Sequence, residues 1–256
     1  MQHLVKSYPK FWWKSSNQHG IHSPFVYQLV TRCFYDKKEH PSYPILKQYR
    51  KNLLRDQREL NVTDLGAGSR VFNNEKRKVA QVAKNSATGL KRSKFLNRLT
   101  AYFQVRNAVE LGTSVGMGSA AIACENPVNL YTIEGCPEIA NVARNNFKKF
   151  GFNNIQLAQG DFTEKIAEIP FKQIDMAFID GNHQKEATLS YFEKLLPYIH
   201  NNSFFILDDI YWSPEMQEAW ETIKAYPQVK VSIDTFFWGL IFFRKEQRKE
   251  HFKVRL

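Results

Sequence analysis

The stretch Glu110-Leu-Gly-Thr-Ser-Val-Gly-Met-Gly-Ser119, ELGTSVGMGS, decides how the rest of this chain is read. A short apolar run, Asn107 to Leu111, leads into it as a buried strand, and a helix over Ser119 to Cys124 leads out. Between them lies a turn whose glycines at 112 and 116 let the backbone approach a ligand and adopt positive φ. The next strand, Asn129 to Ile133, ends in Glu134, 24 residues after Glu110. Strand, glycine turn, helix, strand and acid follow in the order by which a doubly wound sheet receives a nucleotide-type cofactor, with the acid on the ribose hydroxyls.

An earlier glycine pair competes for the same role. DLGAGSR at 64–70 has Gly66 and Gly68, but from Lys76 to Val109 there is no Asp or Glu, only nine Lys and Arg. No ribose carboxylate can come from that segment. Asp64 to Arg70 is therefore read as a tight turn, with a more specific alternative in which its amides and Arg70 face the substrate or the cofactor carboxylate.

From 107 onward, apolar runs alternate with helical stretches, as a parallel α/β sheet requires. Strands are expected at 107–111, 129–134, 154–158, 174–180, 203–208, 228–234 and 237–243. Pro137 starts one helix, and Gly151-Phe152 ends it. Only about three residues, Thr235 to Phe237, join the last two strands, so these form an antiparallel hairpin. The fold class is α/β: a doubly wound, mostly parallel seven-stranded sheet with a C-terminal antiparallel hairpin and a basic, mainly helical N-terminal appendage.

Charge draws the boundaries. Residues 1–109 carry 21 Lys and Arg against 6 Asp and Glu, residues 110–243 carry 9 against 17, and residues 244–256 carry 6 against 2. A basic appendage or lid at 1–105, a cofactor domain at 106–243 and a basic tail at 244–256 are expected. In the appendage, Ser23 as N-cap and Pro24 at the first helical position start a helix whose apolar face runs through 25, 26, 29, 30 and 33 or 34. The longest apolar run, FFWGLIFF at 236–243, is far short of a bilayer span, and the N-terminus lacks a signal core, so no membrane partner and a cytoplasmic location are expected. Cys33, Cys124 and Cys136 show no CxxC spacing and are read as reduced thiols.

The spacing G-x-x-x-G-x-G weighs against a pyrophosphate cofactor. Glu110-x-Gly112-x-x-x-Gly116, followed by a strand ending in Glu134, resembles the class I S-adenosylmethionine-dependent methyltransferases over roughly 107–243. The resemblance assigns Glu110, Gly112, Thr113, Ser114, Gly116, Glu134, Asp161 and Asp180 to S-adenosyl-L-methionine, with Glu134 on the ribose and Asp161 at the adenine amino group. The strand ends Phe178-Ile179-Asp180-Gly181-Asn182-His183 and Phe205-Ile206-Leu207-Asp208-Asp209 are similar to the catechol-type O-methyltransferases. That likeness implies a Mg2+ site at Asp180, Asp208 and Asp209, although Asp209 stands where the family has asparagine. It also implies His183 and Asp180 as catalytic residues, with histidine in place of the family's lysine base.

The expected activity is O-methylation of a small-molecule acceptor, and a homo-oligomer is compatible with it. Two other readings remain open. Nine basic residues across 76–109 suit a nucleic-acid methyltransferase, which is not favoured because the fourth strand ends in Asp-Gly-Asn-His and not in a base-amine motif. A binding protein of the same fold without turnover would share every feature through Glu134 and Asp161.

Overall fold

A computed structural model describes residues 2–62, 76–124 and 128–256. Asp64 to Arg70 lie outside the described residues. The chain divides into two compact units, 1–36 together with 171–256, and 37–170. The boundary read from charge near 105 falls inside the second of these.

The first unit opens with α1 (Gln2–Lys14) and α2 (Pro24–Leu29), the latter continuing as a π-turn over Val30–Phe34. Ser23 caps α2 through its hydroxyl, which accepts from the Val26 amide at 3.5 Å. Val26, Leu29, Val30, Cys33 and Phe34 are buried, the apolar face expected from their spacing.

The unit 37–170 contains α3 (Tyr43–Arg55), a two-stranded antiparallel ribbon of β1 (Glu59–Asn61) and β2 (Lys76–Lys78), α4 (Val79–Asn85) and α5 (Leu90–Tyr102). Then come β3 (Asn107–Leu111), α6 (Met117–Ala123), β4 (Asn129–Glu134), α7 (Pro137–Phe150), β5 (Ile155–Gln159) and α8 (Phe162–Ile166). β4 pairs with β3 on one side and β5 on the other, all parallel. A fully buried helix explains why α6 is built from Met, Gly, Ser, Ala and Ile: every one of its residues is inaccessible, so small side chains are needed for close packing.

In the remainder of the first unit follow β6 (Ile174–Ile179), α9 (Lys185–Leu195), β7 (Ile199–Asp208), α10 (Pro214–Ala225), β8 (Val231–Asp234), β9 (Trp238–Phe242) and β10 (Glu250–Lys253). Their order is β10-β8-β9-β7-β6. β9 runs antiparallel to both neighbours, while β6 with β7 and β8 with β10 are parallel. Met176, Phe178, Phe204, Phe205 and Ile206 are completely buried, and each large side chain contributes about 1.5–3 kcal/mol through burial. Gly239 is required by packing, because a Cβ there would stand 2.6 Å from the Trp220 ring of α10.

All seven expected strands form, with ends within a few residues of those read from the apolar runs. β10 adds to them: Glu250–Lys253, in the segment read as a tail, pairs in register with Val231–Asp234. The three cysteines are free thiols.

Candidate functional site

In the unit 37–170 the glycine turn after β3 is closed by a chain of short hydrogen bonds. Glu110 is 1% exposed, and its Oε2 accepts from the hydroxyls of Ser119 and, at 2.6 Å, of Thr132. Thr132 also shares a hydrogen bond of 2.6 Å with Thr113. Burial pushes the Glu110 carboxyl up to about 7 against the pull of the Ser119 and Thr132 hydroxyls, and the charge of Glu134 adds to the rise. A side chain so enclosed acts from inside the strand: Glu110 sets the shape of the turn and has no surface to offer a ligand. The amides of Gly112 and Thr113 both donate to the Ile133 carbonyl, at 3.0 and 3.1 Å, so the turn is stitched to β4.

Gly112, Ser114 and Gly116 all have positive φ, at 101°, 48° and 85°. At Ser114 the left-handed backbone turns the amide towards Glu134 Oε2, 2.8 Å away. The other oxygen of Glu134 accepts from the Cys136 amide at 2.9 Å. This half-buried carboxylate thus ties the turn after β3 to the turn after β4. Gly116 is set by its neighbours: a Cβ would lie 2.5 Å from both Phe147 Cε1 and the Tyr49 hydroxyl. Tyr49 donates to the Val115 carbonyl at 3.1 Å and backs the turn.

Asp161 is exposed and caps α8, accepting from the amides of Thr163 at 2.7 Å and Glu164 at 3.4 Å through the same oxygen. Preceding it, the Gly160 amide donates to the Glu134 carbonyl at 3.0 Å. Glu110, Gly112, Thr113, Ser114, Gly116 and Glu134 are therefore in one connected network, with Asp161 one strand further on. Thr132, Ser119, Tyr49 and Phe147 belong to the same network and were not singled out from sequence. Thr132 left a signal, a hydroxyl inside the apolar run Leu130 to Ile133.

The unit with residues 171–256 holds the other candidates. Asp180 follows β6, and its Oδ1 lies 4.0 Å from His183 Nε2. The His183 ring stands 5.8 Å from that of Trp212, tilted by 37°. Asn182 and His183 have φ of 67° and 38°, a conformation that bulky residues rarely take without a constraint. Asn182 is held there by its amide, which donates to the Tyr191 hydroxyl at 3.0 Å.

The Mg2+ set expected at Asp180, Asp208 and Asp209 falls at the ends of β6 and β7. The register Ile179↔Leu207 does bring Asp180 and Asp208 to neighbouring strand ends. Asp208 is 8% exposed, and Asp209 has a left-handed backbone with φ 51°. Among the described residues no three His, Cys, Asp or Glu side chains gather as metal ligands. Neither acid caps α10: the Ser213 hydroxyl does, accepting from the Met216 amide at 3.1 Å.

Beyond these, Tyr211 donates to Asp234 Oδ2 at 2.7 Å, and Lys253 Nζ donates to both, at 2.6 Å to the phenol oxygen and 2.8 Å to Oδ2. Asp234 is 2% exposed, and its Oδ1 accepts from the Phe236 amide at 2.8 Å. Burial and the Asp234 charge push the Tyr211 phenol up. Lys253 thereby fastens β10 to the β8–β9 hairpin, which a reading of the last residues as a basic tail could not anticipate.

Part of the basic run is also spoken for. Lys94 is 3.4 Å from Glu39 and sits 4.2 Å over the Tyr43 ring, and Arg98 donates to the Tyr43 hydroxyl at 3.0 Å.

Residues 109–210 match the family model described as "Methyltransferase domain". Among curated proteins, a catechol O-methyltransferase of Niastella koreensis is 30% identical over 123 residues, 46% of this chain and 55% of the relative. The chain thus spans about half the length of the curated relative it matches. Among solved structures, an SAH-bound methyltransferase of Podospora anserina superposes with a TM-score of 0.61 at 12% identity, covering 88% of this chain and 97% of that one. The O-methyltransferase from Bacillus cereus in complex with SAH gives 0.55 at 17% identity, over 83% and 95%. At such identities the likeness is one of fold.

Proposed function

We propose that the chain, whose residues 109–210 match a methyltransferase-domain model, transfers the methyl group of S-adenosylmethionine to a hydroxyl oxygen of a small molecule. The observation that carries this reading is Glu134, a half-buried carboxylate at the end of β4 that accepts from the Ser114 amide of the glycine turn and from the Cys136 amide, the place a ribose-binding acid takes in such a sheet. When bound, the cofactor supplies a methyl group on a sulfonium, which is already a good leaving group. The chain's own task is then alignment and removal of one proton, and alignment of this kind contributes about 7–11 kcal/mol. Glu134 holds the ribose, the Gly112–Gly116 turn receives the amino-acid end, and Asp161 meets the adenine edge.

His183 is the residue proposed to take the acceptor's hydroxyl proton, with Asp180 orienting the imidazole and stabilising its charged form, a role worth roughly 10²–10⁴ in rate. No step is routed through a metal. A titration calorimetry experiment decides the cofactor: S-adenosylhomocysteine binds and NAD does not, whereas no heat with S-adenosylhomocysteine sinks the proposal. For the base, His183→Ala should bind S-adenosylhomocysteine like the parent and lose the pH-dependent limb of turnover; an unchanged pH profile would remove His183 from the mechanism.

A further inference from the structure

Helix α1 breaks the usual pattern of a surface helix, apolar inward and polar outward. Ser7 and Phe11 face inward at 8% and 4% exposure, and Phe11 and Tyr8 pack on Phe236 with ring separations of 5.4 and 4.9 Å. The outward surface is apolar as well. Val5 is 70% exposed, Tyr8 49%, Trp12 51% and Trp13 84%, and exposed Lys6, Lys10 and Lys14 lie among them. Phe237, 43% exposed, extends the patch from the β8–β9 connection, and the Arg255 guanidinium stands 5.2 Å over the Trp12 ring. Residues 1–35 contain no acid at all.

We propose that α1, with Phe237 and Arg255 at its margin, docks on the surface of an anionic lipid bilayer. Trp and Tyr favour the headgroup level because one part of each ring system is apolar and another is polar. Lysines beside them bury their stems against the apolar zone and extend their ammonium groups to phosphates. An aromatic and cationic helix without acids complements that interface in both hydrophobicity and charge. No helix among the described residues is long and apolar enough to cross a membrane, so the contact is with the surface, with the helix lying in the plane. The expectation of no membrane partner rested on the lack of a span; exposure of the aromatic face is a property that only the folded chain displays.

Co-sedimentation of the whole chain with vesicles of phosphatidylcholine alone and with 30% phosphatidylglycerol tests this. Partitioning should be at least tenfold stronger on the anionic vesicles and should fall with salt. Each lysine near such a surface is worth about fivefold, so Lys6→Glu with Lys10→Glu should lower partitioning more than tenfold. Trp12→Ser with Trp13→Ser should do the same and abolish the blue shift of tryptophan emission. Thermal midpoints and S-adenosylhomocysteine binding measured alongside should match the parent; the lysine variants, at exposed positions, keep the test valid if the tryptophan variants misfold. Equal or absent binding of the parent to the two kinds of vesicle overturns the proposal. So does a parent dimer that dissociates on the tryptophan substitutions without any lipid binding, which would assign the patch to a second copy.

Discussion

The turn after β3 and the turn after β6 both bend the chain sharply at a strand end, and they do it at different cost. Two of the three left-handed positions in the first are glycine, Gly112 and Gly116; the third, Ser114, uses the conformation to aim its amide at Glu134. The second uses none. Asn182 and His183 occupy left-handed backbone although a neighbouring glycine, Gly181, was at hand. Asparagine takes this backbone more readily than most residues, so the cost of about 1–2 kcal/mol falls chiefly on His183. The contrast shows one turn built to hold a shape through its backbone and another that accepts strain to present a side chain.

Substitutions that reverse these roles should act in a definite order of size. The largest effect is expected at Gly116→Ala. A Cβ there meets Phe147 and the Tyr49 hydroxyl at 2.5 Å, and the φ of 85° is unfavourable for any L side chain. Left-handed strain and overpacking together should lower stability by about 3–4 kcal/mol, read from urea midpoints. A loss below about 1 kcal/mol would mean that the turn is not held by its neighbours.

Next comes the pH dependence that the buried network imposes. Glu110 titrates near 7 in the fold against an ordinary 4.5, so the fold favours its protonated form. That stabilising contribution is complete below pH 4.5 and is lost as pH rises through 7. A shift of this size corresponds to about 3 kcal/mol. Glu110→Gln, which cannot ionise, should flatten the decline in thermal midpoint between pH 5 and 8; equal slopes in parent and variant would contradict the assignment. Smaller again is the effect of Glu134→Ala on binding. On the proposed ribose-binding role, removing this carboxylate should weaken S-adenosylhomocysteine by about 2 kcal/mol, near thirtyfold, in calorimetry.

The two turns were not equally legible in sequence. Around the first, every partner lies within a short span: Asn107–Leu111 and Asn129–Glu134 were read with the bounds the fold gives them, because buried parallel strands are continuous apolar runs between turn residues. Glu110 itself was read as a ligand contact, since spacing marks an acid but does not show its burial. Around the second, the acids were legible as strand ends, yet their arrangement depends on backbone signs at Asn182, His183 and Asp209 that no composition rule encodes. The expected metal set was a pattern of residue types, and among the described residues no cluster of three such ligands forms. Strand β10 was missed for another reason: Glu-His-Phe-Lys has neither apolar continuity nor clean alternation, and it pairs at an edge through its backbone and through Lys253.

The smallest predicted effect is the one that isolates strain from chemistry. His183→Gly and His183→Ala both delete the imidazole, so they lose the same ring contact with Trp212 and the same neighbour of Asp180. They differ in what the backbone must bear. At an ordinary position alanine would be the more stable, by roughly 0.5–1 kcal/mol, because glycine has more freedom to lose on folding. At φ 38° the left-handed penalty acts on alanine alone and exceeds that difference. Glycine should therefore be the more stable of the pair, by up to about 1 kcal/mol in urea midpoints. Should alanine prove equal or better, the turn after β6 carries no strain, and His183 owes its position to packing against Trp212 and not to a backbone held in tension.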